Sequence, residues 1–104
     1  MAWLQLIIAG LFEVVWATSL KYSHGFTRLV PSIITFAGML VSFYFLAQAT
    51  KTLPLGTSYA IWTGIGAVGS VLVGMLLFGE STALPRIIFL LCIITGIVGL
   101  KFTA

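Results

Sequence analysis

One acidic residue, Glu13, lies within an otherwise apolar stretch of this 104-residue sequence. A carboxylate in such surroundings can bind a cation, and it can exchange that cation for a proton when its protonation state changes. On a helix its neighbours are Gly10 at i−3 and Trp16 at i+3. Glycine leaves open volume beside the carboxylate, and Trp16 supplies an indole N–H and an aromatic face. The spacing therefore predicts a cation site around Glu13.

Hydroxyl and aromatic side chains in two other apolar stretches can complete such a site. Tyr59 and Trp62 have i, i+3 spacing, and Gly66 follows on the same helix face. A phenol and an indole can orient a carboxylate or flank a cation. Ser42, four residues after Gly38, offers a hydroxyl near the middle of its stretch. Packing explains each of these residues alone, but together with a buried acid they favour a binding site.

The composition defines the elements that must position these residues. The chain is 61% apolar and has seven formally charged side chains, with a mean hydropathy of +1.21. A soluble domain has about 25% charged residues, and a membrane helix takes about 20 residues. The sequence predicts an all-α membrane protein with four transmembrane helices in a single domain, residues 1–104. The long uncharged runs place these helices at approximately 3–20, 29–49, 55–78 and 84–101.

The distribution of cationic residues leaves the orientation of the four spans nearly undecided. One side of the membrane receives Lys21, Arg28 and Arg86, and the other receives Lys51 and Lys101. Orientation follows the excess of Lys and Arg near the span ends. The bias of three to two allows insertion in one direction, or insertion in both directions followed by antiparallel pairing. Four short helices enclose little space, so a membrane pathway needs a partner chain in either case.

Glu13 is expected near the bilayer midplane, because it lies ten residues after Trp3, about 15 Å along a helix. An ionised residue there costs roughly 2.5–3.5 kcal/mol on insertion scales. A structural alternative is a protonated Glu13 that donates a hydrogen bond between helices, although Ser, Thr or Gln would serve that purpose without a charge. No second acid occurs in an apolar run. Two acids at one site would therefore come from two chains.

Glycines in the third apolar run suggest both close packing and bending. Gly66, Ser70 and Gly74 form a stripe of small residues that permits close helix contact. Gly64 and Gly66 together lower the cost of a bend. We therefore hypothesise that the third helix flexes near Gly64 and Gly66 during transport.

Three segments of the sequence resemble the small multidrug resistance family, and the resemblance extends over essentially the whole chain. The segments are Gly10-Leu-Phe-Glu13-Val-Val-Trp16, then Lys21-Tyr-Ser-His-Gly-Phe-Thr-Arg28, and Pro54-x-Gly56-Thr-x-Tyr59-Ala-Ile-Trp62-Thr-Gly-Ile-Gly66. Within the family the chain looks like the guanidinium exporter subtype. Trp16, where drug-exporting relatives have glycine, and Lys101 distinguish that subtype.

The resemblance implies antiparallel, dual-topology homodimers that span the bacterial inner membrane several times. It also implies that Glu13 of both subunits binds substrate or protons. The residues implied to surround the substrate are Gly10, Trp16, Ser42, Tyr59 and Trp62. The implied partners are small guanidinium-type cations, protons, the lipid bilayer and a second copy of the chain, with no nucleic acid, cofactor or metal.

These observations together predict a proton-coupled antiporter that exports guanidinium ions. Guanidinium is planar, donates hydrogen bonds only and is weakly hydrated, which suits a carboxylate flanked by aromatic rings. One alternative is a broad exporter of quaternary ammonium ions and cationic drugs that uses the same site. A second is a small accessory subunit that transports nothing. An enzyme is not expected, because the one histidine, His24, lies in a loop without a nucleophile or metal-ligand set.

Overall fold

The computed structural model describes residues 1–103, and within this range it contains four α-helices. They are α1 (Ala2–Tyr22), α2 (Leu29–Ala49), α3 (Leu55–Leu77) and α4 (Leu84–Thr103). With lengths of 20 to 23 residues, they measure about 30–35 Å at 1.5 Å per residue. All four are long and apolar enough to cross a membrane. The predicted four-helix membrane architecture is therefore confirmed, and the helix ends lie within two residues of the expected positions.

Glycine in a left-handed conformation ends α3. Gly79 has a φ of +65°, a value that costs glycine little because it has no Cβ. The turn lets the N–H groups of Phe78 and Glu80 both donate to the carbonyl of Gly74, at 3.1 Å each. The chain then runs through a short loop and enters α4, where Arg86 in the first turn contacts the carboxylate of the loop residue Glu80 at 3.3 Å.

The helices form a bundle in which α3 contacts each of the other three. The α1 helix packs along α2 and, less extensively, along α3, whereas α4 packs against α3 alone. Within residues 1–103, no Cα of α4 lies within 8 Å of a Cα of α1 or α2. The buried core is small and consists of Leu6, Ala9, Ala49, Ile61 and Trp62. A space between α1 and α4 follows from this arrangement.

Most large apolar side chains point outward from the bundle. Leu40 is 72% exposed and Leu76 is 83% exposed, and many other leucines, isoleucines and phenylalanines are similarly open. Soluble monomers rarely expose so many large apolar side chains. In a bilayer it faces hydrocarbon, because lipid is as apolar as these side chains.

Candidate functional site

Glu13 lies near the middle of α1, eleven residues from the start of the helix. Its carboxylate rests directly against Gly66 of α3, so closely that a Cβ at Gly66 would overlap a carboxylate oxygen. Within residues 1–103 no cationic group pairs with Glu13. The structure therefore brings Glu13 and Gly66 together near the middle of α1 and α3, with no charged partner for the carboxylate within residues 1–103.

A buried hydrogen-bond chain joins three helices beside this position. The indole N–H of Trp62 on α3 donates to the Ser42 hydroxyl oxygen on α2 at 2.9 Å. The Ser42 hydroxyl in turn donates to the backbone carbonyl of Ala9 on α1 at 2.7 Å. Ala9 precedes Glu13 by one helical turn, about 6 Å, and shares its helix face. The chain therefore fixes Trp62 relative to the face of α1 that bears the acid.

Aromatic rings surround the indole of Trp62. The Tyr59 ring lies 5.4 Å from the Trp62 ring between centroids, and the Phe43 ring lies 5.8 Å away in an edge-on arrangement. Trp62 is 7% exposed, whereas Tyr59 is 56% exposed. The phenol of Tyr59 thus lies on the open surface of the protomer and next to the buried indole, where it can contact a ligand or a second chain.

Trp16 belongs to the contact between α1 and α2. A Cβ at Gly38 would lie 3.0 Å from the Cβ of Trp16, so glycine permits the two helices to approach closely here. The indole N–H of Trp16 and the hydroxyl of Ser58 are buried, and within residues 1–103 neither has a hydrogen-bond partner. An unpaired buried donor is costly, so the Trp16 indole N–H and the Ser58 hydroxyl are two unsatisfied polar groups within the helix packing.

One expectation about glycines needs correction. Gly10 does not leave open volume beside Glu13, because the Ile65 side chain occupies that space, and a Cβ at Gly10 would lie 2.5 Å from an Ile65 carbon atom. Gly64 likewise contacts Ile97 of α4, with a corresponding distance of 2.8 Å. The α3 helix is continuous through Gly64 and Gly66. These glycines thus create close helix contacts, and flexing of α3 remains a prediction.

The sequence indicated Ser42, Tyr59 and Trp62 separately, and the structure places them in one connected group. The sequence did not indicate Ala9, because its backbone carbonyl accepts the hydrogen bond and every residue type has such a carbonyl. Ser58 was missed too, although its hydroxyl is fully buried. A serine in an apolar run is a weak signal, since serine is common in packed membrane helices.

Comparison with known proteins identifies the family. A model of the family described as Small Multidrug Resistance protein matches residues 1–93. The chain belongs to the small multidrug resistance family. The expected resemblance is thereby confirmed, and with its four apolar helices the chain is a multi-pass membrane protein, which in bacteria lies in the inner membrane.

Curated relatives match this family member over its full length. A protein of Yersinia pseudotuberculosis is 59% identical over 104 residues, covering 100% of both chains. A protein of Citrobacter freundii is 59% identical over 103 residues, covering 99% of this chain and 98% of its own. A protein of Salmonella typhimurium has the same identity and coverage. Each of these relatives is named a guanidinium exporter, a transporter name and not an enzyme name.

Proposed function

We propose that this chain exports guanidinium and small guanidinyl cations in exchange for protons, with Glu13 as the residue that binds both. The observation that carries the proposal is the 59% identity, over the full length, to relatives named guanidinium exporters. The position of the Glu13 carboxylate against Gly66 at mid-depth supports the mechanism. Transport, rather than catalysis of a reaction, is the activity that such a site serves.

The residues around Glu13 suit a guanidinium ion. A carboxylate can accept a fork of two hydrogen bonds from the planar ion. The rings of Tyr59 and Trp62 can attract its charge through their faces. The link from Trp62 through Ser42 to Ala9 holds the indole in place, so that less side-chain freedom is lost when the ion binds. These properties favour a small, flat cation.

Coupling to protons follows from competition for the same carboxylates. Protons from one side of the membrane protonate the Glu13 pair, and the bound cation then leaves toward the other side. Two Glu13 residues in a dimer would exchange two protons for one monovalent cation. Export would then be driven by both the pH gradient and the membrane voltage. The reversal potential of proteoliposomes with set proton and guanidinium gradients tests this stoichiometry.

The assembly we propose is an antiparallel homodimer whose two copies have opposite orientations. One protomer has a single acid within its spans and open apolar faces, so a second copy would complete the site. The division of the cationic side chains, three to two, favours insertion in both orientations. Two identical protomers in different conformations can exchange those conformations without a net change in energy, which provides alternating access.

A broader exporter of quaternary ammonium ions is the second candidate for the same site. The filled space beside Gly10 and the tight contact of Trp16 with Gly38 argue against bulky ions. Guanidinium is therefore expected to give larger currents than tetraalkylammonium ions at equal concentration. Comparable currents with both classes of ion would support the broader exporter.

The decisive experiment measures electrogenic currents of purified protein on a solid-supported membrane after guanidinium is added. The wild type should give a current, and Glu13→Gln, which keeps the size of the side chain but cannot ionise, should give none. Glu80→Gln is the matched control, because Glu80 is an acid in a loop, and its current should remain. A current in Glu13→Gln as large as that of the wild type would refute the mechanism. Absence of current in every protein would favour the non-transporting accessory subunit.

A further inference from the structure

An apolar groove extends along the protomer between α1 and α4, with α3 as its floor. Two adjoining cavities of about 310 and 360 Å³ form it. The residues that line both cavities are Ile65, Ile97 and Val98. The groove exists because α4 packs against α3 alone and leaves the face of α1 uncovered. In a bilayer such a space has to be filled by a molecule as apolar as its walls.

One end of this groove has a positive charge. Lys101 is the one charged residue among those that line the two cavities. Its Nζ lies 5.7 Å from the centre of the Trp3 ring, a distance at which ammonium and ring attract each other. Lys101 is in the last turn of α4, and Trp3 is in the first turn of α1. Both residue types favour the membrane surface, so the groove opens at headgroup level.

The length of the groove matches one leaflet of the bilayer. Along α1 its lining extends from Trp3 to Val14, about 16 Å at 1.5 Å per residue. Half of a hydrocarbon core of about 30 Å is about 15 Å. The groove therefore reaches from the headgroups to the midplane, which is the depth that a phospholipid acyl chain occupies.

We propose that the groove is a binding site for an acidic phospholipid. Its acyl chain fills the space between α1 and α4, and its negatively charged headgroup pairs with the ammonium of Lys101. Charge complementarity favours an acidic lipid over a zwitterionic one, because a lysine near an anionic membrane surface contributes about 1 kcal/mol. The proposal goes beyond the transport function and does not depend on it.

A second helix packed on α4 would leave this groove open. Gly96 and Gly99 have nothing within 4 Å of a Cβ placed on them, so they form the open stripe where another helix can approach. At 100° per residue, they lie about 140° and 160° around α4 from Lys101. A contact along the stripe would thus use the opposite side of the helix, and the groove would continue to face lipid.

Fluorescence quenching of Trp3 by brominated lipids tests the site without guanidinium present. Wild-type protein is reconstituted in phosphatidylcholine with increasing fractions of brominated phosphatidylglycerol in both leaflets, and a parallel series uses brominated phosphatidylcholine. The Trp3 signal is the difference between the wild type and Trp3→Phe. We expect half-maximal quenching at an approximately fivefold lower fraction of phosphatidylglycerol, the ratio that about 1 kcal/mol produces.

Variants localise the effect to the groove. Lys101→Gln should abolish the preference for phosphatidylglycerol, and Val98→Phe, which fills the groove, should reduce quenching by both lipids. Lys51→Gln is the matched control, because Lys51 is predicted on the same membrane side but does not line either cavity, and it should retain the preference. Glu13→Gln should also retain the preference for phosphatidylglycerol. Failure of the transport proposal can therefore be distinguished from failure of the lipid-site proposal.

Three results would overturn the proposal. Equal quenching by the two lipids would mean that the groove does not select charge. An equal loss in Lys51→Gln and Lys101→Gln would mean a general surface effect instead of a site. Absence of Trp3 quenching by either lipid would mean that a protein helix covers the groove.

Discussion

The indole of Trp62 depends on a single hydroxyl for its hydrogen bond. Ser42 accepts from Trp62 and donates to Ala9, and it is fully buried. The Ala9 carbonyl lies inside α1 and can also accept the usual backbone bond of the helix. Loss of the Ser42 hydroxyl would therefore leave one group unsatisfied, the Trp62 N–H. In membrane proteins such bonds contribute about 0.6 kcal/mol on average and up to about 1.7 kcal/mol.

Ser42→Ala should consequently weaken guanidinium binding without preventing folding. With a cost of about 1 kcal/mol, the guanidinium concentration for half-maximal current should rise about fivefold. Concentration series on a solid-supported membrane measure this shift. Ser32→Ala is the matched control on the same helix, because the half-buried Ser32 donates an exposed hydrogen bond to the Arg28 carbonyl one turn before it. Equal half-maximal concentrations in the two variants would show that the chain from Trp62 to Ala9 does not support binding.

At the level of the elements, glycines determine where the helices approach each other. Gly66 makes room for the Glu13 carboxylate, Gly69 makes room for Val14, and Gly64 makes room for Ile97. Two of these contacts join α3 to α1, and the third joins α3 to α4. The same helix face of α3 that approaches the acid therefore contains the small residues that a membrane interface requires.

Gly66→Ala should reduce guanidinium current at least about tenfold, because its Cβ would overlap the Glu13 carboxylate, and a misplaced binding group of this kind is costly. Gly64→Ala should change the current less than about twofold, since the Ile97 side chain can shift. Gly56→Ala, where nothing lies within 4 Å, is the control and should be neutral. Initial currents normalised to inserted protein measure all three variants. Equal losses in Gly64→Ala and Gly66→Ala would contradict this order and favour a hinge.

The sequence predicted the helix boundaries well, but it did not predict which faces of the helices contact one another, for a physical reason. Charged and turn-forming residues interrupt the apolar runs, so the ends of the helices could be located within two residues. Within each run almost every side chain is apolar, and no polar stripe shows which face is buried. The contacts of Ile65 with Gly10 and of Val14 with Gly69 therefore had no signal. Glu13, Ser42 and Trp62 could be selected from the sequence because polar groups are energetically costly in hydrocarbon and indicate a functional or structural role.

For the whole molecule, the small difference in charge between the two membrane sides is the property that matters most. In the predicted topology one side has Lys21, Arg28 and Arg86, and the other has Lys51 and Lys101. Because orientation responds to such differences, a few exposed substitutions should convert the proposed insertion in both orientations into insertion in one. If the active form is the proposed antiparallel dimer, a variant that inserts in only one orientation should be inactive when it is expressed alone.

Two variants with the excess of cationic residues on opposite membrane sides test this prediction. Thr82→Arg with Lys51→Gln leaves four cationic side chains on the first side and one on the second. Arg28→Gln with Thr52→Arg and Thr103→Lys leaves two on the first side and four on the second. Every substituted position is exposed, so the helix packing should persist. Each variant expressed alone should give little guanidinium resistance, and their coexpression should restore it, because only the mixture supplies both orientations.

Coexpression of one biased variant with its own Glu13→Gln form is the matched control, because it supplies two chains in a single orientation and should not restore resistance. Labelling of a cysteine introduced at the exposed Thr52 position of the first variant, or at the exposed Thr82 position of the second, verifies the orientation of each variant. The reagent cannot cross the membrane, and Cys92→Ala in both variants removes the native thiol. Full resistance from one variant whose labelling is entirely one-sided would eliminate the antiparallel dimer. The weak charge bias would then have no role in assembly, and the partner that completes the site would have to be a parallel copy.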